Sequence, residues 1–98
     1  MNLQDMEKNS AKAVALLKAM ANERRLQILC ILHEQELSVG ELCTMLKLSQ
    51  SALSQHLAWL RRDGLVATRK EAQTVYYSLS SREVKEMIKL LHSLYCGA

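Results

Sequence analysis

Proline and phenylalanine are absent from these 98 residues, and glycine occurs only three times. A chain so poor in turn formers is expected to be helix-rich with few turns, and a β-sandwich is disfavoured. The apolar runs fall far short of the ~20 residues that a membrane span needs. The start, Met1-Asn-Leu-Gln-Asp5, has neither the basic region nor the apolar run of an export signal. A cytoplasmic location is therefore expected, with Cys30, Cys43 and Cys96 reduced by default. There is no nucleophile–base pair in a recognisable context, no glycine-rich phosphate loop and no carboxylate dyad, so an enzyme has little support. Linkers, low-complexity segments and internal repeats are also missing, which predicts one domain over residues 1–98.

Apolar residues make up 49% of the chain, a globular composition. A core of this size is marginal on its own, and oligomerisation is a common remedy. The net charge of +3 is modest, but it is unevenly placed. Residues 1–46 sum to −1, residues 47–74 to +3 and residues 75–98 to +1, so the excess is concentrated as an electrostatic footprint would be.

The segment Lys47–Gly64 is the most informative. Leu53, His56, Leu57 and Leu60 recur at helical spacing and form one buried face. The opposite face carries Ser51, Ser54, Gln55 and Ala58, ending at Arg61 and Arg62, and no acid lies between Leu48 and Arg62. Short polar side chains without carboxylates let a helix approach a polyanion and hydrogen-bond base edges and phosphates. Ser49 is its N-cap and Gly64 its stop.

A first helix is predicted from about Leu3 to Ala21, with Met6, Ala13, Val14, Leu17 and Met20 on one stripe. Asn22 caps a second helix reaching about His33, apolar nearly all round from Leu26 to Leu32 and hence expected to be the most buried. Ser38-Val-Gly-Glu41 is a capping box opening a third helix, with Val39, Leu42, Cys43 and Leu46 inward. Its tight connection to Ser49 makes a helix-turn-helix. The period then becomes two-fold: Leu65–Lys70 and Thr74–Leu79 read as strands about a tip at Glu71-Ala-Gln73. Ser80-Ser-Arg-Glu83 is a further capping box, starting a last helix that ends near Tyr95.

The predicted architecture is mainly α with a small β-hairpin, a winged helix-turn-helix in the order α-α-α-α-β-β-α. The last helix is too apolar for one partner: Leu90 and Leu94 widen a stripe of Val84, Met87, Ile88 and Leu91. With Leu16 and Met20 of the first helix, the residues Met87, Leu90, Leu91 and Leu94 are expected to form a homodimer interface. A two-fold dimer would present two recognition helices to major grooves one turn apart, ~34–36 Å.

Three strings, Leu17–Leu29, Leu48–Leu57 and Leu60–Val66, together resemble the ArsR/SmtB family of bacterial winged-helix repressors, across essentially the whole chain. Within it the chain looks most like members that activate haemolysin and other toxin genes. The resemblance implies a dimeric, sequence-specific regulator on promoter DNA in the cytoplasm and nucleoid, activating by displacing a silencer or repressor. It places Gln50, Ser51, Ser54 and Gln55 at base- and backbone-contacting positions; Arg61, at the end of the same polar face, is expected to contact DNA as well. It puts Arg69, Lys70, Gln73 and Thr74 on the wing, where the alternative is a solvated hairpin.

The chain departs from the family's metal sensors. The run Glu41-Leu-Cys-Thr-Met45 has one cysteine where Cys-x-Cys is needed, and the last helix offers only His92. Three or four ligands are required for zinc, so no metal and no cofactor is expected, and His33 and His92 read as surface residues. Cys30 and Cys96 match the pair that sulfide- and redox-responsive relatives use. Burial in the core is the alternative for Cys30, whereas Cys96, near the end, should be accessible. Cys43 reads as an inert core residue. His56 is expected to pack rather than contact phosphate, Trp59 to be partly buried, and the methionines at 6, 20, 45 and 87 to serve core or interface.

Overall fold

A computed structural model describes residues 2–96. Five helices and three short strands follow in the order α1 Leu3–Met20, α2 Glu23–Leu32, β1 Leu37–Ser38, α3 Val39–Leu46, α4 Gln50–Arg62, β2 Val66–Glu71, β3 Thr74–Leu79 and α5 Arg82–Tyr95. This is a winged helix-turn-helix, with one strand more than the sequence reading gave. The three strands form an antiparallel sheet in the order β1-β3-β2. Leu37 pairs with Tyr77 and Ser38 with Tyr76, so β1 covers the edge of the hairpin.

Each helix starts where a side chain satisfies a free backbone N–H. Asn2 accepts from Asp5 N at 2.8 Å and Asn22 from Arg25 N at 3.1 Å. At α3, Ser38 Oγ accepts from Glu41 N while Glu41 returns a carboxylate to Ser38 N, a complete capping box. The cap of α5 is Ser81, not Ser80, because Ser81 Oγ accepts from Val84 N. Ser80 Oγ instead donates to Gly64 O at 2.9 Å, tying the base of the wing to the end of α4.

One core joins Ile28, Leu29 and Leu32 of α2 to Leu42 and Leu46 of α3, Leu53, Leu57 and Leu60 of α4, and Val84 and Ile88 of α5. Helix α2, expected to be the most buried element, sends Ile28, Leu29 and Leu32 into the core but is open on one side. Ile28 and Leu29 face the core, but Cys30 follows 100° further round the helix and is exposed.

The terminal helices also depart from expectation. Met20 is only 6% exposed and belongs to the core, so it is unavailable to a partner chain. Leu16, Met87 and Leu91 are half-buried against the same core. The apolar side chains left in solvent are Leu3, Met6, Val14 and Leu17 on α1, and Leu90, Leu94 and Tyr95 on α5. Residues 2–15 are exposed without exception. Among the described residues no helix is long and apolar enough to cross a membrane.

Candidate nucleic-acid interface

Three residues, Lys47-Leu-Ser49, connect α3 to α4. Lys47 takes the left-handed conformation, φ 55°, which ends α3 abruptly. Leu48 packs against the core and fixes the turn. Ser49 Oγ then accepts from Ala52 N at 3.2 Å and lies 3.3 Å from Ser51 Oγ. At the far end Gly64, φ 78°, donates to Arg61 O at 3.1 Å, and Leu65 N donates to Leu60 O at 2.9 Å. This Schellman closure, with Leu60 and Leu65 both buried, holds the C-terminal end of α4 as the serine holds its start.

Between these ends Leu53, Leu57 and Leu60 are sealed in the core. Gln50, Ser51, Ser54, Gln55, Ala58, Arg61 and Arg62 are all exposed, as the sequence spacing requires. The helix has no acid, and its two arginines lie in the last turn, where they also suit the helix dipole. Capped at both ends and bare of carboxylates, this face can approach a polyanion without like-charge repulsion.

His56 is half-buried. Burial pushes its pKa below the ordinary value, and the nearby Arg25 and Arg24 lower it further. It is a packing residue on the inner edge of α4. Trp59 is 47% exposed and carries two guanidinium groups, Arg62 at 3.9 Å and Arg25 at 5.1 Å from its ring centroid. Arg25 and Trp59 lie 34 residues apart in the chain, so no local signal joins them. His33, expected at the surface, is half-buried with Nδ1 unpartnered, and Met45 is exposed.

The wing turns at Ala72-Gln73, with Glu71 paired to Thr74 and Arg69 to Tyr76. Ala72 adopts φ 54°, where glycine is the usual choice. Lys70 and Gln73 are exposed and Thr74 is half-buried. Arg69 needs correction as a free phosphate contact. Its guanidinium donates to both oxygens of Glu36, at 2.7–3.1 Å, and to Glu71 at 2.7 Å. Glu36 was missed because it precedes a two-residue strand whose pairing partner lies forty residues on.

Cys30 and Cys96 are both exposed, while Cys43 is half-buried against the core. Burial raises the Cys30 thiol pKa, and the charge of Cys96 raises it further. Among the described residues no three His, Cys, Asp or Glu side chains gather as a metal site requires.

Residues 22–68, which span α2 through the start of the wing, match the family model described as bacterial regulatory protein, arsR family. The whole chain is 82% identical to the transcriptional activator HlyU of Vibrio cholerae serotype O1, over 91% of that protein. This chain belongs to the arsR family. Two solved structures superpose on nearly all of it. The crystal structure of a transcriptional regulator HlyU from Vibrio vulnificus CMCP6 is 86% identical, with TM-score 0.92 over 98% of this chain and 100% of that one. That of the transcriptional repressor BigR from Xylella fastidiosa is 35% identical, with TM-score 0.91 over the full length of both chains. The arsR fold thus accounts for each element around α4, and proteins described as activator and as repressor share it.

Proposed function

We propose that the chain is a homodimeric, sequence-specific DNA-binding regulator that activates haemolysin and other toxin genes. The observation that carries this reading is the exposed, acid-free face of α4, held rigid by Ser49 and Gly64. Gln50, Ser51, Ser54 and Gln55 reach base edges and adjacent phosphates, and Arg61, Lys70, Gln73 and Thr74 add contacts at the helix end and wing. The 82% identity to a protein described as the transcriptional activator HlyU supports the activating sign. Displacement of a silencer or repressor is the proposed mode, since α4 and the wing act by occupying DNA. A repressor with the same backbone supports this, since occupancy of DNA is then the shared act and the promoter sets the sign.

The apolar residues left on α1 and α5 support a dimer through the terminal helices. Cys30 and Cys96 serve as a thiol switch responsive to oxidants or reactive sulfur. Forming a disulfide removes one proton and one electron from each thiol, and a peroxide accepting them leaves as two waters. Burial raises the Cys30 thiol pKa, which keeps it protonated and slow to attack an oxidant.

The test is a salt titration of binding to promoter and random duplexes. Affinity should fall steeply with salt on both, with a clear preference for the promoter. Absence of binding at low salt would instead indicate a protein–protein adaptor.

A further inference from the structure

A wing that meets DNA phosphates should not carry exposed carboxylates, yet this one does. Glu71 lies at the tip of β2, and Glu36 reaches the same face of the sheet from just before β1. Both converge on Arg69. Its Nε donates to Glu36 Oε1 and Oε2 at 3.0 and 3.1 Å, and its Nη2 donates to Oε1 at 2.7 Å. Nη1 donates to Glu71 Oε2 at 2.7 Å. The side chain crosses over Tyr76, its cross-strand neighbour on β3, with the guanidinium 4.8 Å from the ring centroid.

The sheet order explains the reach. With β3 between β2 and β1, Arg69 spans the full width of the sheet and joins the wing to the segment entering α3. Three of its five N–H donors are used in fixed directions, which a planar guanidinium allows and an ammonium does not. Lys70, next along the strand, points to the opposite face and has no ion-pair partner among the described residues.

We propose that Glu36, Arg69 and Glu71 form a clamp that sets the position of the wing relative to the helix-turn-helix, with Arg69 a positioning residue and Lys70 the wing's phosphate contact. The clamp draws the charge of both acids inward onto Arg69 and leaves Lys70 as the free cation. The inference rests on the DNA-binding reading.

The two roles for Arg69 give effects of opposite sign in Glu36→Gln. If Arg69 is a positioning residue, the variant loosens the wing and weakens promoter binding several-fold, with the salt slope unchanged. Arg69→Lys then does the same despite keeping its charge, and the double variant is no worse than either single one. Lys70→Gln lowers the salt slope by about one. If Glu36 instead restrains a phosphate ligand, Glu36→Gln frees Arg69, binding tightens and the slope steepens. That result, or unchanged affinity in Glu36→Gln, overturns the clamp alone. Absence of salt-dependent binding by the unaltered protein overturns the DNA reading and the clamp with it. Thermal unfolding of each variant, all changed at exposed positions, separates a moved wing from a damaged fold.

Discussion

Leu94→Ala is expected to weaken the dimer without weakening the fold of the single chain. Leu94 lies on the last turn of α5 and is 63% exposed, so most of its apolar surface is still in contact with water. Burying a whole leucine side chain contributes ~1.5–3 kcal/mol, and the uncovered share of it is ~1–2 kcal/mol per copy. A two-fold interface loses the residue twice, ~2–4 kcal/mol, which is a ~30- to ~700-fold weaker dimer at about 1.4 kcal/mol per decade. Sedimentation equilibrium over a dilution series measures that constant directly. Leu91→Ala is the control, because Leu91 is half-buried against the core and its loss should lower stability as well. A dimerisation constant unchanged within threefold in Leu94→Ala would refute placing the end of α5 at the interface.

Gly64→Ala meets no side-chain obstacle, but it forces a left-handed φ of 78° on alanine. The cost is about 1 kcal/mol, seen as a Tm lowered by ~4–8 °C at fixed protein concentration. An unchanged Tm would mean the turn is not held in that conformation. His56 has a pKa depressed by burial and by Arg25 and Arg24, so the unfolded chain takes up its proton first. Stability should fall as pH drops through the ordinary value of 6.5 and level off below the depressed one. Urea midpoints in that range should show a pH slope that His56→Gln removes; an identical slope in both proteins would contradict the assignment. Ser54→Ala and Gln55→Ala should each reduce promoter affinity by ~1–3 kcal/mol where a base contact is lost, with random-sequence binding little altered. Equal losses on both DNAs would make them backbone contacts.

The helices and the hairpin were legible because local signals mark them. Serine and asparagine caps, a glycine stop and two clean periodicities place α1 to α5, β2 and β3 within a residue or two. The working face of α4 was legible for the same reason, since burial of Leu53, Leu57 and Leu60 dictates what remains outside. What escaped was set by contacts distant in sequence. Strand β1 has two residues and is defined only by pairing with β3. Glu36 and Arg69 meet across 33 residues. The division of the apolar stripes between core and surface escaped as well, because a stripe does not say which of its members the chain's own core will use. Met20 was taken by the core, whereas Val14 and Leu17 were left outside. Cys30 shows the converse, an exposed position on the helix expected to be the most buried.

Trp59 has a practical consequence. It is the only tryptophan in the chain, and it sits on α4 in half-open contact with Arg25 and Arg62. The protein therefore carries one indole fluorophore, placed on α4 one turn beyond Gln55. Any event that draws either arginine off the indole alters the surroundings of a single tryptophan emitter. Its emission can be followed in the unlabelled protein, with no competing signal from a second indole.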